Sequence, residues 1–302
     1  MTARIRIGTC SWADEALSKH WYPKGLKAGD RLAYYAEHFD TVEVDSTFYR
    51  LPAEDLVRRW AQRTPAGFVM HVKAFAMMTR HPVRLEQLPP DLREEVPTDD
   101  RGRVERPSRE LRSEVFARFH AALEPLREAG KLGGILLQFP PYVVPKPVSL
   151  EYLEWAQDQL CGDEALVEFR HRSWLDDEHR EETLEFLEQR RMAHVVTDSP
   201  RIEGAKNVVQ SVWALTSPIT YVRLHGRNAE TWNVRGGSAS DRFNYLYSED
   251  ELRELAGPLR ELAEGAEQAF VFFNNNGRSQ DGSGGWVSQA ATNAAMLQGI
   301  LG

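Results

Sequence analysis

Apolar residues along the chain fall into two alternating regimes. Short runs rich in Val, Ile, Leu and Phe begin near residues 5, 41, 68, 133, 165, 193, 220 and 269: IRIGTC, TVEVDST, FVMHVKA, GGILLQF, ALVEFRH, AHVVTD, TYVRLHG and AFVFFNN. Between them, apolar positions recur every three to four residues, the spacing of helices with one buried face. AEDLVRRWAQR puts Leu56, Val57 and Trp60 on one face. SRELRSEVFARFHAALEPLREAG predicts one long helix that stops at Gly130. SLEYLEWAQDQL, DDEHREETLEFLEQR and SEDELRELAGPLRELAEG predict three more, and SPRIEGAKNVVQSVWALTS, the sixth connection, has the weakest helical pattern. Strands alternating with helices predict a parallel sheet of the α/β class. Eight strands in a chain of 302 residues favour a single-domain TIM-type (β/α)8 barrel over an open doubly wound sheet. RIGTCSW lacks the glycines of a dinucleotide turn, which removes the main argument for the open sheet.

Two stretches interrupt the repeat. Residues 75–107 are rich in Pro and charge and read as a polar insertion after the third strand, a mobile lid by composition. Residues 227–248 follow the seventh strand and combine Gly, Arg and aromatics, as functional loops do.

Parity along the strands then assigns the charged residues. In a parallel barrel one face of each strand packs on helices and the other faces the axis. If Val42 and Val44 face the helices, Glu43 and Asp45 face the axis. The same rule sends His71, Lys73, Gln138, Glu168, Arg170, Arg223 and His225 inward. Glu43, Asp45 and Glu168 nearly balance Lys73, Arg170 and Arg223, with two histidines able to tip the sum. All lie toward the carboxyl ends of their strands, where barrels carry catalytic groups.

Composition narrows the function classes. Hydrophobic residues make up 42% and charged residues 27%, ordinary for a globular chain, and the formal net charge is −8. That charge disfavours generic binding to nucleic acid but leaves room for a local basic patch. Cys10 and Cys161 are the only cysteines, and neither belongs to a CxxC pair, so no disulfide framework or zinc site is expected. The N-terminal MTARIRIGTCSW has no long apolar run, so the expectations are no signal peptide, no membrane span and a cytoplasmic location. No metal or cofactor is expected.

Several constellations carry chemistry. Glu43 and Glu168 are paired carboxylates from the second and fifth strands, and a carboxylate beside Lys73 or Arg170 suits a base better than an acid. Lys73, Arg170, Arg223 and Arg227 point to an anionic substrate, since Arg holds phosphate or carboxylate through two parallel hydrogen bonds. NNNGRSQDGSGGW leads into the last helix, whose first N–H groups would add donors; the plain alternative is a Ser283 helix cap with flexible glycines. Trp12, Phe48, Tyr49, Trp174, Trp232, Tyr245 and Tyr247 crowd the same end and suit stacking or lid packing.

TVEVDSTFYRLP, LLQFPP, VEFRHRSW, YVRLHGR and VFFNNN, in this order and joined by WYPKGL and ATNAAML, resemble the domain-of-unknown-function 72 (YecE-like) family over almost the whole chain. The resemblance implies a TIM-barrel-type fold and assigns no reaction. Cys10-Ser11 stands where the family has a Ser–Gly-like pair, which makes Cys10 a poor nucleophile, and AFAMMTRHP keeps a loose version of a threonine–histidine step at Thr79 and His81.

The expected function is an enzyme acting on a polar, anionic small-molecule or nucleotide-like substrate by carboxylate and histidine acid–base chemistry. Glu43, Lys73, Glu168 and His225 are the catalytic candidates. Trp12, Tyr49, Gln138, Arg170, Trp174, Arg223, Arg227, Tyr245, Asn274 and Asn275 are the substrate-binding candidates. Two other readings stay open. One is a metal-dependent isomerase or phosphodiesterase of the xylose-isomerase-like type, with Glu168, Asp198 and His225 as ligands. The other is a noncatalytic binding protein.

Overall fold

The computed structural model describes residues 2–234 and 239–302. Eight parallel strands, β1 (Ile5–Thr9), β2 (Thr41–Val44), β3 (Val69–Lys73), β4 (Leu132–Gln138), β5 (Ala165–Glu168), β6 (Ala193–Asp198), β7 (Ile219–Leu224) and β8 (Gln268–Phe273), form a nearly closed barrel. The ladder runs β1-β8-β7-β6-β5-β4-β3-β2, so each strand pairs with its sequence neighbour except at the seam between β1 and β2. There the Tyr35 hydroxyl takes the place of ladder bonds. It accepts from the Thr9 N–H at 2.9 Å and donates to the Thr41 carbonyl at 3.2 Å. Gly8 permits the approach, because a Cβ at that position would lie 2.3 Å from the Thr41 oxygen.

The helices are α1 (Glu15–His20), α2 (Arg31–Ala36), α3 (Glu54–Gln62), α4 (Arg109–Ala122), α5 (Glu124–Glu128), α6 (Pro147–Asp158), α7 (Arg180–Gln189), α8 (Ala239–Arg242), α9 (Glu249–Gly265) and α10 (Gln289–Leu301). None is long and apolar enough to cross a membrane. The long helix expected before Gly130 is divided. Leu123 separates α4 from α5, and Pro125, which has no N–H to donate, occupies the first turn of α5. The β6–β7 connection contains no helix among its described residues, in keeping with its weak pattern. The segment after β8 forms a small antiparallel hairpin, β9 (Arg278–Gln280) and β10 (Trp286–Ser288), before α10. Ser288, not Ser283, precedes that helix.

The insertion at 75–107 is folded against the barrel and does not stand off it. Three single-turn 3-10 helices organise it, and Met77, Met78, Val83, Leu88 and Val104 are buried in the main core. Its polar average conceals these anchors. In the loop at 227–248, residues 235–238 lie outside the described residues.

Period-two alternation divides the interior. Val42, Val44, Val167, Val222, Leu224, Val271 and Phe273 join the layer between sheet and helices. Leu136, Leu166, Val195, Tyr221, Phe270 and Phe272 fill the axis. His71 faces the axis as parity requires, but it belongs to this apolar layer. Its ring meets Tyr221, Phe270 and Phe272 edge to face at 4.9, 4.3 and 5.3 Å, and burial drives its pKa down to about 3.

Candidate active site

Above the aromatic layer the axis becomes charged. Arg223, at the end of β7, reaches across the barrel between two carboxylates. Its Nη2 donates to Glu43 Oε1 on β2 at 2.7 Å, and its Nη1 donates to Glu168 Oε2 on β5. Glu43 also accepts from the Tyr221 hydroxyl at 2.8 Å, and the Cys10 sulfur lies 3.7 Å from Arg223 Nη2. Glu43 and Glu168 are 0% exposed and Arg223 is 1% exposed. Burial opposes the charge on Glu168, but Arg223, Arg170 and His225 together hold its pKa well below the usual range. Charges this deep persist only when matched, and here each carboxylate oxygen of the pair is already hydrogen-bonded.

Arg170 continues the chain toward the mouth. Its Nη1 donates to Glu168 Oε1 at 2.8 Å and lies 3.1 Å from His225 Nε2. The guanidinium also lies 5.3 Å from the centre of the Trp232 ring, which comes from the loop after β7. His225 Nε2 also lies 3.4 Å from Glu168 Oε1, so the ring nitrogen that carries the proton decides whether it accepts from Arg170 or donates to Glu168. Nδ1 lies 2.9 Å from Nδ2 of the Asn274 side-chain amide. Phe243 stacks on the imidazole at 5.3 Å. Burial lowers the His225 pKa to about 3, so the ring is neutral and orienting at physiological pH.

A second tier of polar groups stays partly open to solvent above this network: Asp45, Lys73, His81, Gln138 and the free edge of Arg170. Lys73 lies with its amine 4.4 Å from the centre of the Phe48 ring. Its backbone carbonyl accepts from Thr47 Oγ1 at 2.6 Å, which fixes the strand end. No ion pair joins Lys73 to any carboxylate among the described residues. Burial and the neighbouring Arg223 push its amine down to about 8, against the opposing pull of Glu43, Glu168 and Asp45. Asp45 follows β2, one step beyond the paired Val44 and Val72, and so sits beside Lys73. Burial raises its carboxyl to about 6, with Lys73 acting in the opposite direction. Phe48 packs edge to face on His81 at 4.9 Å, and Thr79 Oγ1 holds His81 Nδ1 at 2.9 Å.

The structure therefore brings Glu43, Lys73, Gln138, Glu168, Arg170, Arg223, His225 and Asn274 together and separates the other candidates from them. Trp174 is a core residue, 0% exposed, stacked on Phe169 at 4.1 Å with its indole N–H bonded to the Val143 carbonyl. Trp12 packs edge to face on Trp60 of α3. Asn275 has the opposite parity to Asn274 and bonds the Tyr245 carbonyl and Asn293 of α10. Arg227 is matched by Asp198 and Glu251, and the Tyr245 hydroxyl donates to Glu251 at 2.5 Å. Asp198 accepts from the Tyr247 hydroxyl at 2.7 Å on the helix-facing side of β6, so it does not share a site with Glu168 and His225. Tyr49, 58% exposed, borders the mouth beside Phe48. The sequence marks Trp232 only as one of the aromatics at this end and His81 only as part of a loose threonine–histidine step, and neither is among the catalytic or substrate-binding candidates. Both come from irregular segments, where no periodicity says which way a side chain points.

Related chains share this fold. Residues 6–302 match the family model described as Protein of unknown function DUF72. The UPF0759 protein YunF of Bacillus subtilis (strain 168) is 32% identical over 300 residues, covering 98% of this chain and 94% of that one. A DUF72 family protein of Thermotoga maritima MSB8, solved as a crystal structure, is 30% identical with a TM-score of 0.75, covering 98% of each chain. Another from Enterococcus faecalis V583 superposes with a TM-score of 0.76 at 24% identity over 99% of this chain and 95% of that one. A barrel of this topology and a match along nearly its whole length place the chain in the DUF72 family.

Proposed function

We propose that the chain is an enzyme acting on a polar, anionic small molecule held at the barrel mouth. The observation that carries this reading is the division of charge into two tiers. In the lower tier Glu43 and Glu168 are saturated by Arg223 and Arg170. In the upper tier Lys73 has no paired carboxylate, and Arg170 uses only Nη1, so Nε and Nη2 make no hydrogen bond among the described residues. These two cationic groups favour a carboxylate or phosphate. Asp45 and Lys73, with pKa values of about 6 and about 8, bracket neutral pH and suit proton transfer. Of the four catalytic candidates Lys73 keeps that role and Asp45 joins it, while Glu43, Glu168 and His225 support the site from below. Gln138 fixes orientation.

The test is a melting series against phosphate and small carboxylates, followed by a turnover screen with the anions that bind. The expected result is a melting temperature that rises with anion concentration in the wild type and is insensitive in Arg170→Gln and Lys73→Met. An unchanged wild-type melting point across the series would remove the anionic substrate.

A further inference from the structure

Lys73 supports a more specific inference, which rests on the anion-binding reading and adds covalent chemistry to it. An amine becomes a nucleophile when it is unpaired, partly desolvated and next to another cation. Lys73 meets each condition. It lacks an ion-pair partner among the described residues. Burial desolvates its amine, against the pull of the Phe48 ring face, which favours the charged form. Arg223, in the tier below, disfavours its proton. Two neighbours complete the arrangement. Asp45 sits at the adjacent strand end, just past the Val44–Val72 pair. Arg170 offers the free side of its guanidinium.

We propose that Lys73 forms an imine with the carbonyl of a short 2-oxo acid whose carboxylate is held by Arg170. The Lys73 nitrogen pair attacks the carbonyl carbon and the carbonyl π pair moves to oxygen; the nitrogen gives one proton to solvent and the oxygen takes one from solvent. The carbinolamine then expels that oxygen as water while the nitrogen pair forms the C=N bond and its last proton passes to Asp45. The Asp45 carboxyl supplies the proton to the leaving oxygen and recovers one from nitrogen, so it is unchanged. One water leaves, one C=N bond forms, and nothing is oxidised or reduced. Arg170 fits the acid group because a carboxylate meets a guanidinium edge through two parallel hydrogen bonds. A pKa near 8 keeps a useful fraction of the amine neutral at physiological pH.

The test traps the imine. Wild-type protein is incubated with pyruvate and sodium cyanoborohydride, and its peptides are weighed. The expected result is a reduced pyruvate adduct on Lys73 that forms roughly tenfold or more faster than on exposed lysines, since each unit of lowered pKa raises the neutral-amine fraction about tenfold. Lys73→Arg, which keeps the charge but cannot form the imine, should lose that adduct while melting as the wild type does. Acetone, which has the carbonyl without the carboxylate, should label Lys73 more slowly than pyruvate. Adducts spread over Lys19, Lys24 and Lys27, with Lys73 no faster than these, would overturn the proposal. Phosphate has no carbonyl and separates the two readings. If phosphate still raises the melting point through Arg170 while Lys73 stays unlabelled, the imine fails and the anion site stands. If neither occurs, both fall.

Discussion

Arg223 shows how much a single side chain holds in this barrel. It is the shared partner of two fully buried carboxylates on opposite strands. Arg223→Met would leave both without that cation, and a buried charge that loses its partner costs about 3–5 kcal/mol. Urea unfolding of the variant should show a loss of that size, and a loss below about 1 kcal/mol would mean that the network relaxes around the gap. Lys73 has the opposite character, because its charged form is the strained one. Its pKa falls from 10.5 in the unfolded chain to about 8 in the fold. Between these values the unfolded chain holds a proton that the folded chain has released, so this residue makes stability rise with pH across the window from 8 to 10.5. The rise is at most about 3 kcal/mol, since one pKa unit is about 1.4 kcal/mol and partial exposure reduces it. Subtracting the pH profile of Lys73→Met from that of the wild type isolates the effect. A flat difference would show that the amine is not perturbed.

At the scale of elements, the strands were legible and the irregular segments were not. TVEVDST, ALVEFRH and TYVRLHG alternate so cleanly that parity alone put Glu43, Glu168 and Arg223 on the axis. Parity gives a direction and no depth, which is why His71 looked like a site residue yet lies in the aromatic layer. It also stops at the strand end, so Trp174 and Tyr245 could be placed near the mouth but not assigned to core or pocket. The insertion at 75–107 misled through its composition, because charge and proline outnumber the few residues that anchor it. Ala74 to Thr79 are all buried, with the Tyr152 hydroxyl bonded to the Met78 carbonyl at 2.9 Å. Amide exchange should therefore divide the insertion. Protection should be strong from Phe75 to Thr79 and weak around the exposed Asp100–Gly102 turn. Uniformly fast exchange would restore the picture of a mobile lid.

For the molecule as a whole, eight strand-like runs in one chain were enough to reach the barrel, and the seam between the first and last members of the ladder was beyond sequence reasoning. Nothing in RLAYYAEHF marks Tyr35 as the residue that joins β1 to β2, because its role exists only once both strands are in place. That hydroxyl has a bearing on the company the protein keeps. A fully bonded barrel offers no strand edge to another molecule, whereas an open eight-stranded sheet offers two. Here one phenol, bonded to Thr9 on one side and Thr41 on the other, stands between these cases. The resistance of this chain to joining its neighbours edge to edge is thus borne at the seam by a side chain from a helix, where the rest of the barrel relies on its backbone.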